Sequence, residues 1–144
     1  MAIIDNSLVF SDAQAITATA ASTNVVDLLK PGTPAGFPAA LTKDAGVGPD
    51  IPIFIEVTEG FNTLTSLTVS VETDDNAGFS SPTTVLTGQA VPLASLVPGY
   101  RFRVPNEVPE GTVEQYLRLK YTVAGSNPST GKIFAAVTGG EQTA

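Results

Sequence analysis

Residues 64–72 read Leu64-Thr65-Ser66-Leu67-Thr68-Val69-Ser70-Val71-Glu72. Leu67, Val69 and Val71 alternate with Thr68, Ser70 and Glu72, which puts the apolar set on one face of an extended strand and the polar set on the other. β-Branched and hydroxylated residues fit such a pleated, half-buried surface. The same period recurs along the chain. Ile51, Ile53, Ile55 and Val57 share one face of a strand predicted over 51–57, with Pro52 near its start, where a missing N–H does least harm to a ladder. Over 99–104, Tyr100, Phe102 and Val104 alternate with Arg101 and Arg103; over 115–123, Leu117, Leu119, Tyr121 and Val123 alternate with Tyr116, Arg118, Lys120 and Thr122. Residues 132–137 give a weaker closing strand, and 83–86 and 91–96 two more. Short strands are predicted over 8–10, 15–20 and 24–27. The Ala-rich stretch 11–23 leaves helix as an option, although Ile16-Thr17-Ala18-Thr19 is an indifferent helix former.

Between these segments the chain is punctuated by 13 Gly and 11 Pro in 144 residues. Such spacing leaves little room for helices. Asp74-Asp75-Asn76-Ala77-Gly78, the Pro105–Gly111 segment and the Ala124–Gly131 segment read as turns. Eight to ten short strands joined in this way predict an all-β fold, an antiparallel jelly roll or β-sandwich. The length suits one domain over 1–144, with an N-terminal arm over 1–12 and a long loop over 29–50. That loop holds Pro31, Gly32, Pro34, Gly36, Pro38, Gly46, Gly48 and Pro49. A loop of this length is either a solvated excursion or an interaction element. Phe37 and Leu41 within it favour contact, because exposed apolar residues mark interfaces.

The composition excludes most chemistry. There is no Cys, no His and no Trp. Disulfides, thiol nucleophiles and imidazole bases are therefore absent, and no cofactor or metal site is expected. Glu107, Glu110 and Glu114 cluster in a polar turn, where nothing suggests the burial that would raise a carboxyl pKa. Asp74, Asp75 and Asn76 match no calcium-loop spacing and read as a turn held by its own side chains. The net charge of −7 argues against nucleic acid as a partner. No apolar run reaches the length of a membrane helix, and the first basic residue, Lys30, comes too late for a secretory signal. Only 15% of residues are charged, which suggests that a partner covers part of the surface.

Four of the seven basic residues, Arg101, Arg103, Arg118 and Lys120, fall in two consecutive predicted strands. If those strands are neighbours, the four form a basic patch on an acidic protein. Such a patch is either a solvated face with weak ion pairs or an electrostatic docking surface for an acidic partner.

Three stretches carry a resemblance: Phe10-Ser11-Asp12-Ala13-Gln14-Ala15-Ile16-Thr17-Ala18-Thr19-Ala20-Ala21-Ser22-Thr23, Thr73-Asp74-Asp75-Asn76 leading to Phe79-Ser80-Ser81-Pro82-Thr83-Thr84, and Tyr116-Leu117-Arg118-Leu119-Lys120-Tyr121-Thr122-Val123-Ala124-Gly125. In this order they resemble the capsid cement, or decoration, proteins of tailed bacteriophages related to a Bordetella podophage. The resemblance implies a jelly roll that is made in the bacterial host cytoplasm and ends in the virion. It would bind the outer capsid surface, bridge neighbouring major capsid subunits and stabilise the shell, without catalysis. It further implies a homo-oligomer, a dimer rather than a trimer. Candidate contacts are Ile3, Ile4 and Phe10 in the arm, Phe37 and Leu41 in the loop, and Arg101, Arg103, Arg118 and Lys120. A second reading is a carbohydrate-binding jelly roll of a phage tail or fibre; only Tyr100, Tyr116 and Tyr121 could supply its aromatic platform, and alternation buries two of them. An enzyme is the third and weakest reading.

Overall fold

A computed structural model describes residues 4–139. Among them run nine strands: β1 (Val9–Ala15), β2 (Ala20–Ala21), β3 (Val26–Asp27), β4 (Ile53–Glu59), β5 (Leu64–Asp74), β6 (Thr83–Thr87), β7 (Val91–Pro92), β8 (Tyr116–Gly125) and β9 (Lys132–Val137). Two single turns of 3-10 helix, Asn6–Leu8 and Leu93–Ser95, are the only helical elements among the described residues. All named strand pairs are antiparallel. The smaller sheet has the order β1-β9-β4; the larger has β2-β8-β5-β6, with β3 also on β8 and β7 also on β5.

The two sheets bury their inward faces against each other as an antiparallel β-sandwich. Leu67, Val69 and Val71 of β5 and Leu117, Leu119 and Tyr121 of β8 share one core cluster with Ile53, Ile55 and Val57 of β4 and Ile133 and Ala135 of β9. Each large aliphatic side chain so buried contributes about 1.5–3 kcal/mol relative to exposure. The alternation that marks these strands in the sequence is thus the alternation between core and outer face.

Three local expectations are corrected. The stretch 11–23 is not helical: β1 runs to Ala15, irregular in its pairing between Val9 and Ser11 and again between Ser11 and Gln14, and the chain then crosses to the larger sheet. Residues 91–96 give a two-residue strand followed by 3-10 helix, because Pro92 ends the ladder it enters. Residues 99–104 do not form a regular strand. They line the free edge of β4, where the Phe102 N–H donates to the Ile55 carbonyl (3.0 Å) and the Ile53 N–H donates to the Asn106 carbonyl (2.9 Å). Two residues of β4 thus face four of this segment, and Arg103-Val104-Pro105 bulges from the ladder.

The loop over 29–50 contains no strand, but its base is fastened. Lys43 Nζ donates to the Leu28 carbonyl (2.6 Å) and the Leu29 carbonyl (2.5 Å). The Asp44 carboxylate accepts from the Gly46 N–H (3.0 Å) and the Gly111 N–H (2.8 Å), and the Ala45 N–H donates to the Thr112 carbonyl (3.0 Å). Gly46 lies so close to the Pro109 carbonyl that a Cβ there would collide with backbone.

Candidate functional site

The two predicted pairs of basic residues lie in different sheets. Arg118 and Lys120 project from the outer face of β8, where Arg118 stands opposite Glu72 of β5. Arg118 Nη2 is 2.7 Å from Glu72 Oε2, its Nε donates to the same oxygen at 2.8 Å, and Lys120 Nζ is 3.4 Å from Oε1. The Arg118 guanidinium also lies 4.1 Å from the centre of the Phe79 ring. Phe79 is buried and held at φ +49°, a conformation uncommon outside glycine. The Glu72 side chain is 3% exposed, and Arg118 keeps 19% of its own exposure. This cluster binds β5, β8 and the 75–81 turn together. The single four-residue basic patch is not formed, because residues 99–104 pair with β4 and not with β8.

Arg101 and Arg103 border a surface groove of about 820 Å³ on the smaller sheet, lined also by Phe54, Tyr100, Asn106 and Thr138. Arg101 stacks 4.8 Å from the Phe54 ring centre, and its Nε donates to Glu56 Oε2 at 3.4 Å. Phe54 meets Phe134 edge-on at 6.2 Å. Both phenylalanines are half-buried and lie out of phase with the core positions Ile53, Ile55, Ile133 and Ala135. They occupy the outer face, where an antiparallel sheet facing water carries polar residues. The larger sheet obeys that rule with Thr68, Ser70, Glu72, Arg118, Lys120 and Thr122. Aromatic residues and Arg are the types enriched at protein interfaces. The sequence signal for Phe54 and Phe134 is this phase error, legible in 51–57 and 132–137 but not drawn from them above.

A second apolar surface is the long loop. Phe37 is 60% exposed and Leu41 53%, with Leu29 and Val47 also exposed. In the arm, Ile4 is exposed and Ile3 lies outside the described residues. Phe10 cannot act as a surface contact: it is fully buried in the core, because β1 begins at Val9 and joins the smaller sheet.

The acidic groups serve turns. Asp74 accepts from the Asn76 N–H (3.0 Å) and the Ser81 N–H (2.8 Å). Burial pushes its carboxyl up, but these donors outweigh it and hold it below the usual range. Glu114 accepts from the Thr73 hydroxyl at 2.6 Å. No group of three acidic, His or Cys residues able to hold a metal occurs among the described residues. Of the tyrosines, Tyr121 is core, Tyr100 packs edge-on against Phe102 at 5.3 Å in the groove wall, and Tyr116 lies on β8. No helix among the described residues is long and apolar enough to cross a membrane.

The architecture defines an antiparallel β-sandwich with an aromatic and basic groove on one outer face. The chain belongs to the Bbp16 family, whose model matches residues 10–137. The family name suggests a Bordetella phage protein. Among curated proteins, no sequence matches it.

Proposed function

We propose that the chain is a structural virion protein, a capsid cement protein. It binds the outer surface of a tailed-phage capsid, bridges neighbouring major capsid subunits and stabilises the shell. The observation that carries this reading is the outer face of the smaller sheet. Phe54, Phe134 and Arg101 stack there beside a groove flanked by Arg103, on a face that should be polar in a lone sandwich. The phage-related family supports the same reading. A bridging protein also needs a second contact, and the loop supplies one with Phe37 and Leu41 on an anchored base. Many identical copies, each engaging two subunits, reinforce a shell without high affinity per copy. Association of the chain with itself, as a dimer, belongs to the same proposal.

The test is binding of the purified chain to capsids of its phage that lack it, read by co-sedimentation. Saturable binding at a fixed ratio to the major capsid protein is expected, with slower loss of packaged DNA on heating. Binding that is absent, or that never saturates, contradicts the proposal.

A further inference from the structure

Among the described residues, one edge strand longer than two residues is left without a segment bonded along it. The free edge of β4 is lined by 99–108. On the opposite side, the edge of β1 meets the segment that carries β2 and β3. There the Asn24 N–H donates to the Phe10 carbonyl (3.0 Å), and Gln14 bonds to the Thr23 N–H and the Ala21 carbonyl (both 2.9 Å). β7 is two residues long and ends in Pro92. What remains is β6, Thr83-Thr84-Val85-Leu86-Thr87. Among the described residues no hydrogen bond reaches these five from outside their ladder with β5.

Exposed edges are ordinarily guarded by a charge, a proline or extreme shortness, because unpaired backbone groups recruit other strands. β6 has five residues, no charge and no proline within it, and it is rich in the β-branched types that strands favour; its one irregularity is a bulge at Val85, between the Val71–Leu86 and Glu72–Thr84 pairs. Its surroundings are acidic. Gly111, next to Glu110, approaches Val85; Glu114 holds Thr73, the ladder partner of Thr83; exposed Asp75 follows the end of β5. Arg118 and Lys120 belong to β8 on the far side of β5 and are engaged by Glu72, and Arg103 lies beside Val104, whose carbonyl approaches Gly88 just past the end of β6.

We propose that β6 is a docking strand that extends the larger sheet with an extended segment of the capsid shell subunit, one carrying Lys or Arg beside its strand-forming residues. Main-chain pairing supplies the attachment, as in other strand additions, and the acidic surround selects a basic partner over a second copy of this chain, which is itself strongly acidic. The inference rests on the cement reading for its partner. It is independent of the groove and of the loop.

Hydrogen exchange of the chain bound to purified particles, compared with the free chain over a range of concentrations, tests it. The expected result is roughly tenfold slower exchange of the outward-facing β6 amides on the particle only. A variant with Thr84→Lys on this exposed position keeps the fold and loses particle occupancy, whereas Thr84→Ser keeps both; Glu110→Lys weakens binding. A chain that binds particles while its β6 amides stay unprotected overturns the inference and leaves the cement reading standing. Protection that grows with concentration in the free chain makes a second copy the occupant and also overturns it. Failure to bind particles at all contradicts the cement reading itself.

Discussion

The Tyr121 hydroxyl lies 2.7 Å from the Ser11 hydroxyl, and the two residues belong to opposite sheets. Ser11 donates onward to Gln14 Oε1 at 2.7 Å, so Tyr121 is the donor to Ser11. Burial pushes the Tyr121 phenol up, out of reach of ordinary pH, and keeps it a donor. A core that is otherwise apolar is thereby pinned where β1 leaves the smaller sheet for the larger one. Tyr121→Phe removes the donor and leaves buried Ser11 short of a partner, which costs about 2 kcal/mol. Urea denaturation measures it; a change below about 0.5 kcal/mol would show that the pair is dispensable.

The outer cluster of the larger sheet separates two kinds of ion pair. Arg118→Ala deprives buried Glu72 of its closest partner and strips the cover from Phe79. The expected loss is about 3 kcal/mol, the cost of orphaning a buried charge. Lys120→Ala removes the longer, more exposed contact and costs under about 1 kcal/mol. Equal losses in thermal denaturation would contradict this assignment.

The loop base makes a steric prediction. At Gly46 a methyl group meets the Pro109 carbonyl, and backbone cannot rotate away as a side chain can. Gly46→Ala therefore costs about 2 kcal/mol and loosens residues 43–47 from 109–112. Hydrogen exchange at Ala45, whose N–H is bonded to Thr112, reports the loosening.

Stability falls in acid, for identified reasons. Backbone donors from Gly111 and Gly46 hold the Asp44 carboxyl below its ordinary value of 3.8, and those from Ser81 and Asn76 do the same for Asp74 against its burial. Groups with depressed folded pKa values stabilise the fold above the unfolded value, and that contribution is lost as the pH falls through the folded values. Stability is accordingly flat from about pH 7 to about pH 5 in this respect and declines from about pH 4 downward. Asp44→Asn lowers stability at neutral pH and shrinks the acid decline; an unchanged decline would remove Asp44 from the account.

The docking surfaces predict a split between stability and binding. Arg103→Glu in the groove and Phe37→Ser on the loop touch exposed positions. Neither moves the unfolding midpoint by more than about 0.5 kcal/mol equivalent. Each lowers affinity for capsids roughly tenfold, a loss of about 1.4 kcal/mol.

Much of this fold was legible because its strands are half-buried and antiparallel. β5, β8 and β9 follow their alternation closely, and Ile53, Ile55 and Val57 of 51–57 and Leu117, Leu119 and Tyr121 of 115–123 are in the observed core, whereas Ile51 is exposed ahead of β4 and Val123 is half-buried. What alternation cannot show is which strand a segment pairs with. The 99–104 segment has the pattern of a strand, yet it pairs irregularly with β4, and its arginines are therefore separated from Arg118 and Lys120. Glu72 reads as the solvent-facing end of a strand, and its burial comes from Arg118 and the 75–81 turn folding over it. Phe10 lies in the apparent arm, but its burial depends on β9, more than a hundred residues later. The aromatic outer face was readable at Phe54 and Phe134, which break the phase of their own strands.

The central claim is that the chain is a stoichiometric component of the capsid exterior. Quantitative mass spectrometry of purified virions, scaled to the major capsid protein, tests it most directly. The account predicts a copy number in a simple fixed ratio to the shell subunit. A handful of copies per particle, as for a tail component, or none at all would contradict it.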